Sequence, residues 1–182
     1  MDKTLIIIGL LAICFSCKTP EARRPISVKS GSFIDASVER NKKLNAKEQA
    51  WIEQLMAKND STNYIASESG FWYYYNTKIT ESDDYTPAFG DIVNYSYNLK
   101  DFKGNLIYPK ENFQNLDYAM DKQELFTGLR EGLKLMKAGE TITFLFPSQK
   151  AYGYYGDENK IGTNVPLIAE VTVNSITKVQ DN

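Results

Sequence analysis

Residues 128–153, GLREGLKLMKAGETITFLFPSQKAYG, change from a helical to a strand-like periodicity within a few positions. The segment 124–139 carries apolar residues at helical spacing, namely Leu125, Phe126, Leu129, Leu133 and Met136. Thr127 is predicted to cap the start of this helix, and Gly139 to adopt the left-handed conformation after its end. The next segment, ETITFLFP, places Ile142, Phe144 and Phe146 on one face of a strand.

Two other segments show the same two-residue alternation. In PLIAEVTVNSI the residues predicted to face inward are Leu167, Ala169, Val171 and Val173. In DIVNYSYNL they are Val93, Tyr95, Tyr97 and Leu99. Aromatic residues 71–75 favour another strand, and Lys103-Gly104 predicts a hairpin turn. Strands with one polar face, together with a lone amphipathic helix, predict an α+β domain with an antiparallel sheet over residues 65–182.

An N-terminal helical segment is predicted over residues 38–64, with the helix itself at 45–58. Asn45 is a suitable N-cap, and Glu48 stands at the capping-box position three residues later. An apolar stripe is formed by Trp51, Ile52, Leu55 and Met56. This stripe must pack either on the domain or on a partner protein.

The first residues, MDKTLIIIGLLAICFSCKTP, are typical of a secretory signal peptide. The apolar run from residue 5 to 15 is about half as long as a membrane-spanning helix needs to be. Ser16 before Cys17 is similar to the cleavage site of bacterial lipoproteins, whereas Cys14 would follow the bulky Ile13. We therefore expect a signal peptide at 1–16, lipidation at Cys17 and a tether at 17–37, with ordinary secretion as the alternative.

Composition excludes several classes of chemistry. The chain of 182 residues has no histidine and only two cysteines, both N-terminal, so His-dependent triads, His-ligated metals and an internal disulfide framework are excluded. The net charge of −2 gives no electrostatic footprint for nucleic acid. Neither acidic stretch, 81–84 or 157–160, has the spacing of a calcium loop, so we expect no metal and no cofactor.

Over residues 68–178 the chain resembles FKBP-type peptidyl-prolyl cis-trans isomerases. The resemblance lies in the order of two segments: GDIVNYSYNLKDFKGNLIY comes first, and GLREGLKLMKAGETITFLFPSQKAYG…PLIAEVTV follows. The resemblance implies a sheet of about five to six antiparallel strands wrapped on one short helix, preceded here by the N-terminal helix. It also implies non-covalent catalysis on proline-containing polypeptides. With the lipoprotein signal and the strand SGFWYYY, the chain further resembles gliding-motility-associated isomerase lipoproteins of the Bacteroidetes.

The resemblance assigns roles residue by residue. Its catalytic positions fall at Tyr95 on the pocket wall, at Phe126, whose N–H would bind a substrate carbonyl, and at Tyr152, whose hydroxyl would bind the ligand. The positions that would line the substrate pocket are Ile107, Tyr118, Leu125, Leu129, Ile161 and Ala169.

The chain departs from the family pattern at three of these positions and at Tyr108. Leu129 stands at the pocket-floor tryptophan, Ile107 and Ala169 at phenylalanines, and Tyr108 at an aspartate. Two functions therefore stay open: an isomerase, or an FKBP-shaped chaperone or interaction module with weak or lost activity. A third assigns the function to residues 38–60, as an interaction helix within a motility or secretion assembly.

A lysine follows Cys17 without an acidic doublet after it, which favours the periplasmic side over the cell surface. We expect a protein lipid-anchored to a bacterial envelope membrane, the outer membrane facing the periplasm. Its expected partners are proline-containing client polypeptides, with proteins of a motility machinery among the candidates.

Overall fold

The structure is a computed structural model that describes residues 31–80 and 84–179, with side chains from residue 33 onward. The predicted signal peptide, Cys17 and residues 17–30 of the tether lie outside the described residues. From Glu39 onward the chain forms one compact unit.

The first helix, α1, spans Gly31–Lys58 and is longer than the sequence predicted. Its predicted end near residue 58 agrees with the structure, but its predicted start at Asn45 is wrong. Residues 31–37, assigned to the tether, are helical, and Asn45 is an exposed residue inside the helix rather than its N-cap. The segment after Ser37 contains good helix formers such as Glu39, Lys42 and Leu44, and Asn45 costs too little propensity to end it.

In the part of the chain that the structure describes, seven strands form one antiparallel sheet. They are β1 (Ile65–Ala66), β2 (Trp72–Thr77), β3 (Ile92–Asp101), β4 (Leu106–Tyr108), β5 (Leu116–Ala119), β6 (Thr141–Phe146) and β7 (Leu167–Thr177). Their spatial order is β1-β2-β6-β7-β3-β4, with β5 pairing to β3. The α+β class and the antiparallel sheet are confirmed. The sheet has one strand more than the five to six predicted, and the additional strand is the two-residue β1.

The inward faces predicted for the long strands are confirmed. The residues predicted to alternate inward on β3, β6 and β7 are all buried. They occur at paired positions, such as Tyr95 opposite Val173 and Leu99 opposite Ala169, so they stack as one apolar layer. The turn at Gly104 is also confirmed, and this glycine has a φ of 88°.

The second helix, α2, spans only Thr127–Leu133. Phe126, rather than Thr127, is its N-cap, and it contributes no side-chain capping bond. After Leu133 the chain continues as three-residue turns, with Met136 N–H donating to the Leu133 carbonyl at 3.1 Å. The apolar residues keep a helical spacing up to Met136 although the helix ends at Leu133. The consecutive turns bury Met136 in the same apolar layer as Leu133.

The helix α2 lies very close to the chain that follows β6. A Cβ atom at Gly128 would stand 2.6 Å from both the Phe146 ring and the Lys150 carbonyl oxygen. Because no side chain fits there, glycine at this position permits the helix to approach the end of β6.

The apolar stripe of α1 packs on the domain, one of the two outcomes that the sequence left open. Ile52 is fully buried with Phe102 and Leu145, and the Trp51 ring meets the Phe102 ring edge-on at 5.6 Å between centroids. Burying these side chains contributes about 25 cal/mol per Å² of apolar surface. The helix is therefore an integral part of the domain from Glu39 onward.

Candidate active site

A cavity of about 500 Å³ opens beside α2. Its lining residues are Gln123, Glu124, Leu125, Phe126, Arg130 and Tyr152. The segment before α2 supplies one side of the cavity, and the loop after β6 supplies Tyr152 on the other. Three residues of the predicted site, Leu125, Phe126 and Tyr152, are thus brought together.

Aromatic rings form the walls of this cavity. The ring of Phe126 lies 5.1 Å from that of Tyr152 and meets the Phe146 ring edge-on at 5.6 Å. Phe146 and Leu129 are fully buried in the same core cluster. Such contacts hold the two wall residues against a rigid core, so the cavity keeps its shape without a ligand.

The segment before α2 is tied to the sheet by Gln123. The Tyr118 hydroxyl donates to the Gln123 carbonyl at 3.2 Å, and the Ala119 N–H donates to the Gln123 side-chain oxygen at 3.0 Å. The backbone N–H of Phe126 has no hydrogen-bond partner among the residues that the structure describes. This donor is therefore free to bind a ligand at the edge of the cavity.

Tyr152 keeps its proton across the physiological range. Burial, together with nearby Asp157 and Tyr108, raises the pKa of the Tyr152 hydroxyl to about 12. A protonated hydroxyl can donate a hydrogen bond to a carbonyl oxygen. Tyr152 can consequently act as a donor at any pH near neutrality.

Behind Tyr152 lies a stack of three rings, of which Tyr95 and Tyr97 are buried and Phe113 is half-buried. Tyr97 stacks on Tyr95 at 5.6 Å and on Phe113 at 4.4 Å between centroids, with planes within 9° of parallel. Burial, together with the neighbouring tyrosines, Tyr152 among them, raises the pKa values of Tyr95 and Tyr97. Both hydroxyls therefore remain neutral, as an apolar site requires.

The loop after Tyr152 is held by Asp157. Its carboxylate accepts the N–H groups of Ile161 at 2.7 Å and Asn159 at 3.0 Å, and it also accepts the Tyr108 hydroxyl. Partial burial alone would raise the pKa of Asp157, but these hydrogen bonds outweigh it and lower the pKa. The loop is thereby tied to β4.

Gly156 permits the tight path of this loop. Its φ is +71°, and a Cβ atom there would lie 2.1 Å from the Ile161 carbonyl oxygen. Only glycine accommodates both the left-handed conformation and this approach. The loop consequently brings Ile161 back into the core cluster, where it is buried.

The outer rim carries paired charges. Arg130, which lines the cavity, and Lys134 each lie near the carboxylates of Asp121 and Glu131, with nitrogen–oxygen distances from 3.1 to 3.6 Å. These groups are partly exposed, so each pair contributes little to stability. The charge of Arg130 is therefore paired, while Glu124, which also lines the cavity, adds a negative charge there.

The remaining predicted residues lie behind the cavity or beside it. Tyr95, Tyr118, Leu129, Ile161 and Ala169 are buried in the core cluster, and Ile107 packs against it half-buried. None of these six lines the cavity itself. Their assignment to substrate contact stays a prediction.

Sequence reasoning gave no site role to Tyr97, Phe113 or Asp157, and it did not predict that the Glu48 carboxylate accepts the Ser148 N–H. Tyr97 shares the inward face with Tyr95 on β3, which could have identified it. Asp157 occurs in a stretch considered only for calcium. Glu48 occupies the helix position four residues before Ile52, so an acidic residue on the apolar stripe was the available signal.

Within the described ranges, no group of three or more carboxylate or thiol side chains could hold a metal ion. In the same part of the chain, no helix combines the length and the apolar character that crossing a bilayer requires.

A family model and a bacterial protein both match this chain in sequence. The family model for FKBP-type peptidyl-prolyl cis-trans isomerase matches residues 83–174. The probable FKBP-type isomerase FkpA of Neisseria meningitidis serogroup B is 29% identical over 126 residues, which cover 69% of this chain. The matched region spans only 43% of that relative's length.

Solved structures share the fold. A peptidyl-prolyl cis-trans isomerase from Pseudomonas syringae superposes with a TM-score of 0.60 at 19% identity, covering 75% of this chain and 96% of its own. FkpA from Escherichia coli also has a TM-score of 0.60, at 21% identity, covering 99% of this chain and 84% of its own.

Proposed function

The chain belongs to the family of FKBP-type peptidyl-prolyl cis-trans isomerases, and from this premise we propose that it isomerises X–Pro bonds in polypeptides outside the cytoplasm. The observation that supports this most directly is the cavity that joins Leu125, Phe126 and Tyr152. It combines aromatic walls with two hydrogen-bond donors and holds no group that must exchange a proton.

The reaction needs no nucleophile. The barrier to rotation about a peptide bond is about 18–20 kcal/mol, because amide resonance is lost in the twisted state. Unaided, an X–Pro bond takes tens to hundreds of seconds to isomerise. An apolar cavity that binds the proline ring and excludes water favours the twisted amide, whose charge separation is smaller.

Two donors orient the substrate in this mechanism. The Phe126 N–H binds the substrate carbonyl, and the Tyr152 hydroxyl binds a neighbouring carbonyl of the peptide. Leu125 and the Phe126 ring contact the proline ring. The reaction releases nothing and consumes nothing, so rate enhancement comes entirely from tighter binding of the twisted state.

A protease-coupled assay on an Ala-Xaa-Pro-Phe peptide tests this proposal. We expect Phe126→Ala to lower kcat/KM by about tenfold or more, since removing the ring takes away a cavity wall. Tyr152→Phe should lower it about fivefold, the equivalent of one hydrogen bond of about 1 kcal/mol.

Tyr155→Phe serves as the matched control, because this neighbouring tyrosine is 85% exposed. Its kcat/KM should stay within about twofold of the wild-type value, the range expected for a surface substitution. Wild-type rates equal to the uncatalysed background would eliminate the enzyme proposal.

A chaperone or binding module with weak or lost isomerase activity is the alternative. It is favoured by Ala169, which is fully buried between Leu99 and Phe144 on neighbouring strands and adds no wall to the cavity. In that case the peptide would bind in the same cavity, but the wild type would show little or no catalysis. The assay and a peptide titration together separate the two functions.

The chain is further proposed to be a lipoprotein anchored at Cys17 to an envelope membrane, the outer membrane facing the periplasm. The sequence around Ser16 and Cys17 supports this. Acyl chains contribute about 0.8 kcal/mol per buried CH₂, so several chains would anchor the protein stably. Metabolic labelling with an alkyne fatty acid should mark the wild type and Cys14→Ser but not Cys17→Ser; equal labelling of all three would contradict it.

Its clients are proposed to be envelope polypeptides, including components of a motility or secretion assembly. The proposal rests on the resemblance to gliding-motility-associated lipoproteins of the Bacteroidetes. Crosslinking in intact cells followed by mass spectrometry tests it, and recovery of cytoplasmic proteins alone would contradict it.

A further inference from the structure

Glu48 lies on the face of α1 that packs against the sheet. The whole residue is 3% exposed, and it stands one helical turn before Ile52, which is fully buried against Phe102 and Leu145. A carboxylate on such a face loses its contact with water. It therefore needs a partner inside the protein.

That partner is the backbone at the end of β6. The Glu48 carboxylate accepts the N–H of Ser148 at 2.8 Å, and both residues are buried. Ser148 begins a short 3-10 helix, Ser148–Lys150, that leads directly to Tyr152. The two bonded residues are 100 positions apart in the sequence, so this contact joins the N-terminal helix to the loop that carries Tyr152.

Ser148 passes this contact on to the residues beside Tyr152. Its carbonyl accepts the N–H of Ala151 at 3.1 Å and of Gly153 at 2.9 Å. These two residues flank Tyr152 in the sequence. Two consecutive hydrogen-bonding steps thus lead from the Glu48 carboxylate to the backbone on both sides of the cavity tyrosine.

The same 3-10 helix is confined from another direction. Its last residue, Lys150, has a carbonyl oxygen 2.6 Å from the point where a Gly128 Cβ atom would stand. The helix α2 therefore contacts the turn through Gly128, while Glu48 of α1 binds its first N–H group. Without the Glu48 bond, we expect the packing against α2 to remain and the start of the turn to be less constrained.

Stability alone does not account for a carboxylate here. The second oxygen of Glu48, Oε1, is buried and has no hydrogen-bond partner among the described residues. A buried polar atom without a partner destabilises the folded state. The other oxygen binds the Ser148 N–H and so holds the backbone at the start of the turn.

We propose that Glu48 is a positioning residue for the isomerase site, acting through the Ser148 turn to set the place of Tyr152. The N-terminal helix is on this account part of the catalytic apparatus. The inference rests on the proposed isomerase activity for its kinetic test, while a second readout is independent of activity.

The kinetic test uses Glu48→Ala and Glu48→Gln in the full chain, assayed where each variant is fully folded. Glu48→Ala should lower kcat/KM about fivefold, comparable to losing the Tyr152 hydroxyl bond. Glu48→Gln keeps an acceptor oxygen and should recover at least half of the wild-type value. Glu53→Ala is the matched control, an exposed glutamate of the same helix, and should stay within about twofold of wild type.

A double variant separates positioning from a general loss of structure. If Glu48 acts through Tyr152, Glu48→Ala should have little further effect on kcat/KM in the Tyr152→Phe background. A fivefold loss in both backgrounds would overturn the proposal. So would a folded Glu48→Ala protein with wild-type kcat/KM.

Amide hydrogen exchange supplies the readout that needs no activity. The Ala151 and Gly153 amides should exchange about fivefold or more faster in Glu48→Ala than in wild type, with Glu53→Ala unchanged. Unchanged exchange would overturn the proposal even if the chain proves inactive, whereas faster exchange in an inactive chain would reject only the isomerase function. Should Glu48→Ala not fold, Glu48→Asp takes its place, because one methylene less withdraws the acceptor.

Discussion

Single residues decide how the loop beside the cavity is held. The aspartate expected at position 108 is replaced by Tyr108, whose hydroxyl reaches the carboxylate of Asp157 on the facing loop. A carboxylate is therefore present near Tyr152, but it comes from the loop rather than from the strand. The same bond ties β4 to the loop that carries Ile161.

Removing the Tyr108 hydroxyl should loosen that loop. We expect Tyr108→Phe to lower the free energy of unfolding by about 1–2 kcal/mol, because the bond to a charged acceptor is lost while the ring remains. Urea unfolding measures this. Tyr154→Phe, a hydroxyl on the exposed part of the same loop, is the control and should change the free energy by less than about 0.5 kcal/mol. Equal effects of the two variants would mean that the Tyr108–Asp157 bond does not stabilise the loop.

At the scale of elements, both helices differ from their predicted lengths for the same reason. A periodicity reports which residues face the core, not which backbone bonds form. In α1 the solvent-facing residues before Asn45 extend the helix to Gly31. In α2 the helical bonds stop at Leu133, although Met136 keeps the spacing through three-residue turns.

At the scale of the whole molecule, aspartates hold several loops. The Asp91 carboxylate accepts hydrogen bonds from the N–H groups of Ala88 and Val179 and from the Tyr85 hydroxyl. The Asp101 carboxylate accepts hydrogen bonds from the N–H groups of Lys103 and Asn105. Burial opposes ionisation in Asp91, Asp101 and Asp157. The hydrogen bonds outweigh it and lower the pKa of each.

These lowered pKa values predict how stability depends on pH. An aspartate of the unfolded chain has a pKa of about 3.9, so the stabilisation is complete above that pH and is lost as pH falls through the folded-state values. Urea unfolding should give a nearly constant free energy from about pH 5 to 8 and a decline below about pH 4. Asp91→Asn should be less stable at pH 7 and should decline less steeply in acid. A slope equal to that of the wild type would show that Asp91 does not contribute.

The sequence by itself determined the class of fold and the inward faces of the long strands. Tyr95, Phe144 and Val171 were assigned inward because strand side chains alternate strictly, and a local rule of that kind requires no knowledge of the partner strand. The order of the segments also indicated the family. Phe126 and Tyr152 followed from that resemblance, although they lie 26 positions apart in the chain.

Only the tertiary structure decided what spans distant segments. The bond from Glu48 to Ser148 and the bond from Tyr108 to Asp157 depend on how elements far apart in the sequence pack. Local patterns assigned Glu48 to a helix cap and Asp157 to an acidic loop. A buried carboxylate forms hydrogen bonds with the donors that packing brings next to it. Which donors those are depends on the fold of the whole chain.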